Sequence, residues 1–158
     1  MKFTPQSIAD VILIELTRHG DERGYFIETF RQDLFEEAIG YKVNFVQDNE
    51  SKSLKGVLRG LHYQLPPYAQ AKLVKVIEGN VLDVAVDIRK SSPTFGQHVS
   101  AELTAQNKHQ LFVPHGFAHG FVVLSESATF AYKVDNYFAP EHDRGIAFDD
   151  DQLKINWQ

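Results

Sequence analysis

Two short strings hold the residues best suited to chemistry: RGLHYQ at Arg59 to Gln64 and PHGFAHGF at Pro114 to Phe121. Each sets histidine beside glycine inside a segment that otherwise reads as β-strand. The two strings suit facing strands of a β-barrel whose imidazoles point into its mouth. Lys72 lies between them and Tyr132 after them. A histidine, a lysine and a tyrosine around one cavity suit proton transfer next to a carbonyl. Such a reaction needs a base, a group that stabilises the enolate oxygen and a donor that returns the proton. Arg59 and Lys72, close to His62 in the chain, favour a polar cavity over a structural histidine.

Charge narrows the ligand. The formal net charge is −5, which argues against nucleic acid and anionic membrane as partners. Within that acidic background Arg23, Arg59, Lys72 and the histidines form positive points, as a small anionic ligand requires. The chain has no cysteine, hence no disulfide framework, thiolate metal site or cysteine nucleophile. No apolar run approaches a membrane span, and MKFTPQSIAD lacks the apolar stretch of a signal peptide. These features predict a soluble, cytoplasmic protein.

The positioning elements read mostly as strand. With 158 residues, 43% of them hydrophobic, and 12 phenylalanines, the chain can bury one core, and a single domain over 1–158 is expected. Val11 to Leu16 is a strand, Thr17 to Gly24 a polar loop and Gly24 to Phe30 a second strand. RQDLFEEAIG is the one good helix, its apolar Leu34, Phe35, Ala38 and Ile39 on one side and Gly40 its stop. From Val43 onward VNFVQDNES, KGVLRGLHYQ, AKLVKVIEG, NVLDVAVDI, HVSAEL, HQLFVPHG, AHGFVVLS and ATFAYKV follow as strands. Gly79-Asn80, between two β-branched runs, predicts a tight hairpin. So many short strands imply a sandwich or closed barrel.

PHGFAH resembles the second histidine motif of the cupins, double-stranded β-helix barrels with sites inside the barrel. Metal-binding cupins use His-x-His, a later glutamate and a third histidine. Here Gln64 replaces the second histidine and no acid follows until Glu78, so no metal is expected. GDERGYFIETF, FVQDNES, GVLRGLHYQ, AKLVKVIEG, DVAVDIRKSSPTFG, VPHGFAHGFVVLS and YKVDNYFAPEHDRGI occur in this order from about Val11 to Trp157. Together they resemble the dTDP-4-dehydrorhamnose 3,5-epimerases, cofactor-independent cupins of dTDP-L-rhamnose synthesis, a sugar usually destined for bacterial surface polysaccharide.

The resemblance implies a mainly β, jelly-roll barrel with one or two short helices. It implies an isomerase that inverts C3 and C5 of dTDP-4-dehydro-6-deoxy-D-glucose. His62 matches the general base, Lys72 the group at the C4 oxygen and Tyr132 the proton donor. Arg23, Glu28, Gln47, Asn49, Arg59 and His119 match positions that hold nucleotide and sugar, while Phe26 and Phe138 supply surfaces for the thymine ring. The family forms homodimers in which the Arg23 to Glu28 stretch completes the partner's site. Phe138 stands where a tyrosine is common, and Asp143 where a ligand-binding glutamate is usual. Family members usually continue beyond the position of Gln158 with an aspartate that orients the base; without it, Asp83 is the acid expected to hold His62. Rival expectations are a single-centre epimerase on a related 4-keto sugar nucleotide and a non-catalytic sugar-nucleotide-binding cupin. Retention of Tyr132 favours the double epimerase.

Overall fold

The computed structural model describes all residues, Met1–Gln158. Thirteen strands, one α-helix and one 3-10 turn make up the chain. Six strands form one sheet in the order β1 (Lys2–Pro5), β2 (Ile12–Glu15), β10 (Gln110–Val113), β7 (Lys72–Glu78), β12 (Ser127–Val134), β5 (Gln47–Leu54). Five form a second: β13 (Asp143–Gly145), β6 (Leu58–Gln64), β11 (Phe117–Val123), β8 (Asn80–Asp87), β9 (His98–Thr104). β3 (Arg18–Asp21) and β4 (Gly24–Ile27) pair only with each other, as a separate ribbon. All pairings are antiparallel. The mainly β jelly roll expected from the sequence is what forms.

Period-two alternation explains the layers. Val74, Val76, Leu111, Val113 and Phe130 from the larger sheet meet Val81, Ala85, Val99, Leu103, Phe117 and Phe121 from the smaller one in the central core. The outer face of the larger sheet presents Ile12, Ile14, Leu73 and Phe112, which α1 (Gln32–Ile39) covers with Phe35. Gly40 ends that helix in the left-handed conformation, as its sequence predicts. The smaller sheet's outer face, with Leu61, Leu82, Val84 and Val86, is covered by Ile146, Leu153, Ile155 and Trp157. β8 is therefore apolar on both faces, apart from its two buried aspartates, Asp83 and Asp87. No helix is long and apolar enough to cross a membrane.

Three local expectations are corrected. Gly79-Asn80 joins β7 to β8, but these strands lie in different sheets, so the turn carries the chain across the sandwich and makes no hairpin. Gly79 has φ 81°, and a Cβ there would stand 2.1 Å from the Ser127 carbonyl oxygen. Thr17 to Gly24 is not all loop: its central residues form β3, stabilised by pairing with β4 that the polar composition does not announce. The two histidine strings do not face each other; β6 and β11 are adjacent, with His62 opposite His119 in register.

That adjacency depends on glycine. A Cβ on Gly60 would lie 2.5 Å from Gly120 Cα, and one on Gly120 would lie 2.7 Å from the Arg59 carbonyl oxygen. The register shifts between His119 and Phe121 at the same place. The glycines beside both histidines thus let two backbones touch where the site is built. Either Gly60→Ala or Gly120→Ala should destabilise the fold by ~1–3 kcal/mol, the scale of overpacking. Gly60→Ala should cost more, because Gly60 also has φ +124°. Denaturant unfolding measures both; midpoints equal to wild type would show that the strand pair has slack.

Candidate active site

Four strands each place a polar residue between or beside apolar ones on the inner face. Lys72 precedes Val74 and Val76 on β7. Asp83 lies between Val81 and Ala85 on β8, His119 between Phe117 and Phe121 on β11, and Tyr132 follows Phe130 on β12. A cavity of about 520 Å³ opens there, lined among others by Arg59, His62, Lys72, His119, Tyr132, Phe138 and Asp143. Seven of the residues singled out in the sequence therefore converge on one cavity.

The side chains are tied in specific ways. His119 Nε2 lies 2.9 Å from both carboxylate oxygens of Asp83, and both residues are buried. The His119 ring also stacks near Phe130, with centroids 6.2 Å apart. Asp83 was expected to hold His62; its carboxylate is instead taken by His119, which neighbours it on the adjacent strand. The acid nearest His62 is Asp143, its Oδ2 3.9 Å from Nδ1. β13 pairs with β6, with Asp143 opposite Gln64, which brings that carboxylate to the cavity edge. His62 is otherwise half open to the cavity.

Desolvation dominates the electrostatics. Burial lowers the Lys72 ammonium to about 8, against the opposing pull of Asp83 and Asp143. Burial also raises the Tyr132 phenol above its ordinary value, with Arg59 opposing. The phenol is thus protonated at neutral pH and the amine mostly charged. Arg59 is aimed by its Nε, which donates to Ser53 Oγ at 2.9 Å. An arrangement of neutral phenol, buried ammonium and accessible imidazole can remove a proton, stabilise an oxyanion and return a proton.

The remaining sequence candidates sit at the rim or outside. Gln47 and Asn49 lie on β5, linked by a 2.9 Å hydrogen bond, with Asn49 opposite Tyr132 in register. Gln47 also accepts the Phe138 N–H at 3.2 Å. Arg23, Phe26 and Glu28 are not in the cavity; Arg23 and Phe26 belong to the exposed β3–β4 hairpin, where Arg23 pairs with Asp21, and Glu28 is exposed just beyond it. Of the two histidines in PHGFAHGF only His119 points inward. His115 turns away to Asp135, 2.8 Å from its Oδ2, and that carboxylate raises its pKa. Ser51, Ser53 and Gln70 were missed. β5 reads Gln47, Asn49, Ser51, Ser53 on alternate positions, and a strand polar on its inner face is the signal that marks a cavity wall.

Known proteins resemble this chain over nearly its whole length. A family model described as dTDP-4-dehydrorhamnose 3,5-epimerase matches residues 5–158. The chain belongs to that family. It is 58% identical over 157 residues to the dTDP-4-dehydrorhamnose 3,5-epimerase of Shigella flexneri, covering 99% of this chain and 87% of that one. The crystal structure of a dTDP-4-dehydrorhamnose 3,5-epimerase from Elizabethkingia anophelis superposes with TM-score 0.97 at 52% identity, covering 100% of this chain and 86% of that chain. A dTDP-6-deoxy-D-glucose-3,5-epimerase from Legionella pneumophila, solved with dTDP-4-keto-L-rhamnose, gives TM-score 0.95 at 51% identity, covering 99% and 82%. Membership in the epimerase family agrees with a cavity whose polar groups suit proton transfer beside a ketone.

A reaction that relies on the Lys72 ammonium has a definite pH signature. The charged form donates to an oxyanion, and its fraction falls as pH rises through about 8. kcat/KM should therefore fall about tenfold per pH unit above that point. Lys72→Arg, charged throughout the range, should remove this alkaline limb even where its rate is low. An unchanged limb in Lys72→Arg would assign it to another group.

Proposed function

We infer that this chain is a sugar-nucleotide epimerase that inverts C3 and C5 of dTDP-4-dehydro-6-deoxy-D-glucose, giving dTDP-4-dehydro-L-rhamnose. The observation that carries this reading is the convergence of His62, Lys72 and Tyr132 on one cavity in a member of the epimerase family. C3 and C5 are both α to the C4 ketone, so one carbonyl activates both positions. His62 takes the proton from carbon. The electron pair of the broken C–H bond moves into an enolate, whose charge on the C4 oxygen is met by the Lys72 ammonium. Tyr132 delivers its phenolic proton to the opposite face of the same carbon, and the ketone re-forms. Solvent then takes the proton from the imidazolium and restores the phenol. His62 is carried by β6 and Tyr132 by β12, in different sheets, which supports removal and delivery from opposite sides. No step needs a cofactor.

The substrate's diphosphate and base are assigned to the remaining residues. Arg59 with His119, and Arg23 from a partner, meet the diphosphate and sugar; the planar guanidinium pairs with two oxygens at once. Gln47, Asn49, Glu28 and Asp143 are assigned to polar contacts, Phe138 and Phe26 to the base. We propose a single-domain homodimer with shared sites, because the β3–β4 hairpin stands outside its own cavity with the Arg23 side chain 85% exposed and Phe26 70% exposed. A nucleotide-sugar substrate supports a cytoplasmic location.

Incubation with dTDP-4-dehydro-6-deoxyglucose in D2O tests the reading. Deuterium should enter at both C3 and C5; one labelled carbon would mean a single-centre epimerase, and none a binding protein. Tyr132→Phe keeps the ring and deletes its only donatable proton. It should still exchange deuterium while inversion fails, more at C5 than at C3, read by NMR of the products. Full inversion in that variant would remove Tyr132 from the mechanism.

Shared sites have their own test. Arg23→Ala and His62→Ala are each expected to be inactive, but a mixed dimer would hold one intact site. Mixing them should restore activity, and no recovery after demonstrated subunit exchange would put Arg23 and His62 in the same chain's site.

A further inference from the structure

Gln64 occupies the position of the second cupin histidine, yet its side chain does not line the cavity; it is only 6% exposed. Its Nε2 donates to the Tyr68 carbonyl at 2.6 Å and to the Tyr137 carbonyl at 3.2 Å. Its Oε1 accepts the Ala139 N–H at 2.7 Å. A primary amide offers two donors and an acceptor on one planar group, and here all three are used. Glutamate has the acceptor without the donors, and leucine has neither.

Two of those partners bracket one residue. The carbonyl before Phe138 and the N–H after it both bind Gln64, while the N–H of Phe138 itself binds Gln47 at 3.2 Å. The Phe138 ring is 57% exposed over the cavity, so its direction is set by this backbone. The third partner, Tyr68, belongs to the opposite rim segment. The seam continues there: Gln70 donates to the Asn136 carbonyl at 2.8 Å, Asn136 to the Pro67 carbonyl at 3.1 Å, and the Leu65 N–H to the His142 carbonyl at 3.0 Å.

We propose that Gln64 is a positioning residue for the nucleotide end of the site. It acts through the backbone of Phe138, fixing the surface on which the base of the sugar nucleotide stacks. It therefore governs nucleotide affinity and leaves proton transfer to His62, two residues away on the same strand. The inference rests on the assignment of Phe138 to the base made under Proposed function.

Calorimetric titration of Gln64→Leu, Gln64→Glu, Phe138→Ala and the Gln64→Leu/Phe138→Ala double variant tests it, with dTDP and with inorganic pyrophosphate as probes. Pyrophosphate carries the diphosphate charge without the base. Each Gln64 variant should weaken dTDP about tenfold or more, the scale of losing buried amide hydrogen bonds. Pyrophosphate affinity and kcat at saturating substrate should stay within about threefold of wild type, so the loss appears in KM. The double variant should bind dTDP no more weakly than Phe138→Ala, because both changes remove the same surface. Equal losses for dTDP and pyrophosphate would reduce Gln64 to a general structural role and overturn the proposal. Additive losses would cut the link between Gln64 and Phe138. Wild-type dTDP affinity in Phe138→Ala would overturn the base assignment itself. Wild-type affinity in both Gln64 variants beside a weakened Phe138→Ala would overturn only the present inference. Gln64→Glu preserves the bond to Ala139, which keeps a folded variant available should Gln64→Leu unfold.

Discussion

A primary ammonium placed between two apolar sheets loses most of its hydration, and the rest of the site follows from how that loss is offset. An unpaired buried charge costs several kcal/mol. Asp83 and Asp143 supply the opposing charge that keeps the Lys72 amine at about 8 instead of lower. Asp83 is itself buried completely and is held by His119, so amine, carboxylate and imidazole depend on one another. Phe121 and Phe130, stacked with ring centroids 4.1 Å apart, line the same cavity. The same dry wall raises the Tyr132 phenol. Burial thus sets an ammonium that stays mostly charged at neutral pH beside a phenol that keeps its proton except against a stronger base such as an enolate.

How much of this is legible in the sequence depends on the range of the interaction. Alternation is local, and it placed β7, β8, β11 and β12 within a residue or two of their observed bounds and began β6 three residues early. The helix with its Gly40 stop is likewise local. The residues facing the cavity were found because His62, Lys72, Arg59 and Tyr132 interrupt strands with groups that no core needs. Sheet membership was not legible. β7 and β8 look like a hairpin from Gly79-Asn80, and only the packing of both faces of β8 reveals that the chain crosses between layers. The partner of Asp83 was not legible either. It is fixed by the register of β8 against β11, which sets His119 opposite Ala85 and within reach of a carboxylate two residues away. A shift of one residue would turn Asp83 outward.

Glycine at 60 and 120 sets the two imidazoles side by side. Because β6 and β11 touch there, His62 and His119 are register partners on neighbouring strands, yet their surroundings differ. His119 lies inside the flanking phenylalanines and spends its Nε2 on Asp83. His62, nearer the sheet edge beside β13, keeps its ring open to the cavity. An imidazole accepts a proton only at a free nitrogen, and the geometry leaves His62 the more open of the two.

The walls and the rim of the cavity are carried by different kinds of structure. Lys72, His119 and Tyr132 project from the central strands of closed ladders, where packing on both faces restrains each Cα. The cavity rim at Phe138 is built from the segments at 65–71 and 135–142, which have no ladder of their own and are joined through amide side chains. Side-chain amides at Gln64, Gln70 and Asn136 do for these loops what backbone pairing does for strands. Such a seam can be altered residue by residue without moving the strands beneath it. A fold divided in this way can change the rim of its cavity while the ammonium, imidazole and phenol on the strands stay in place.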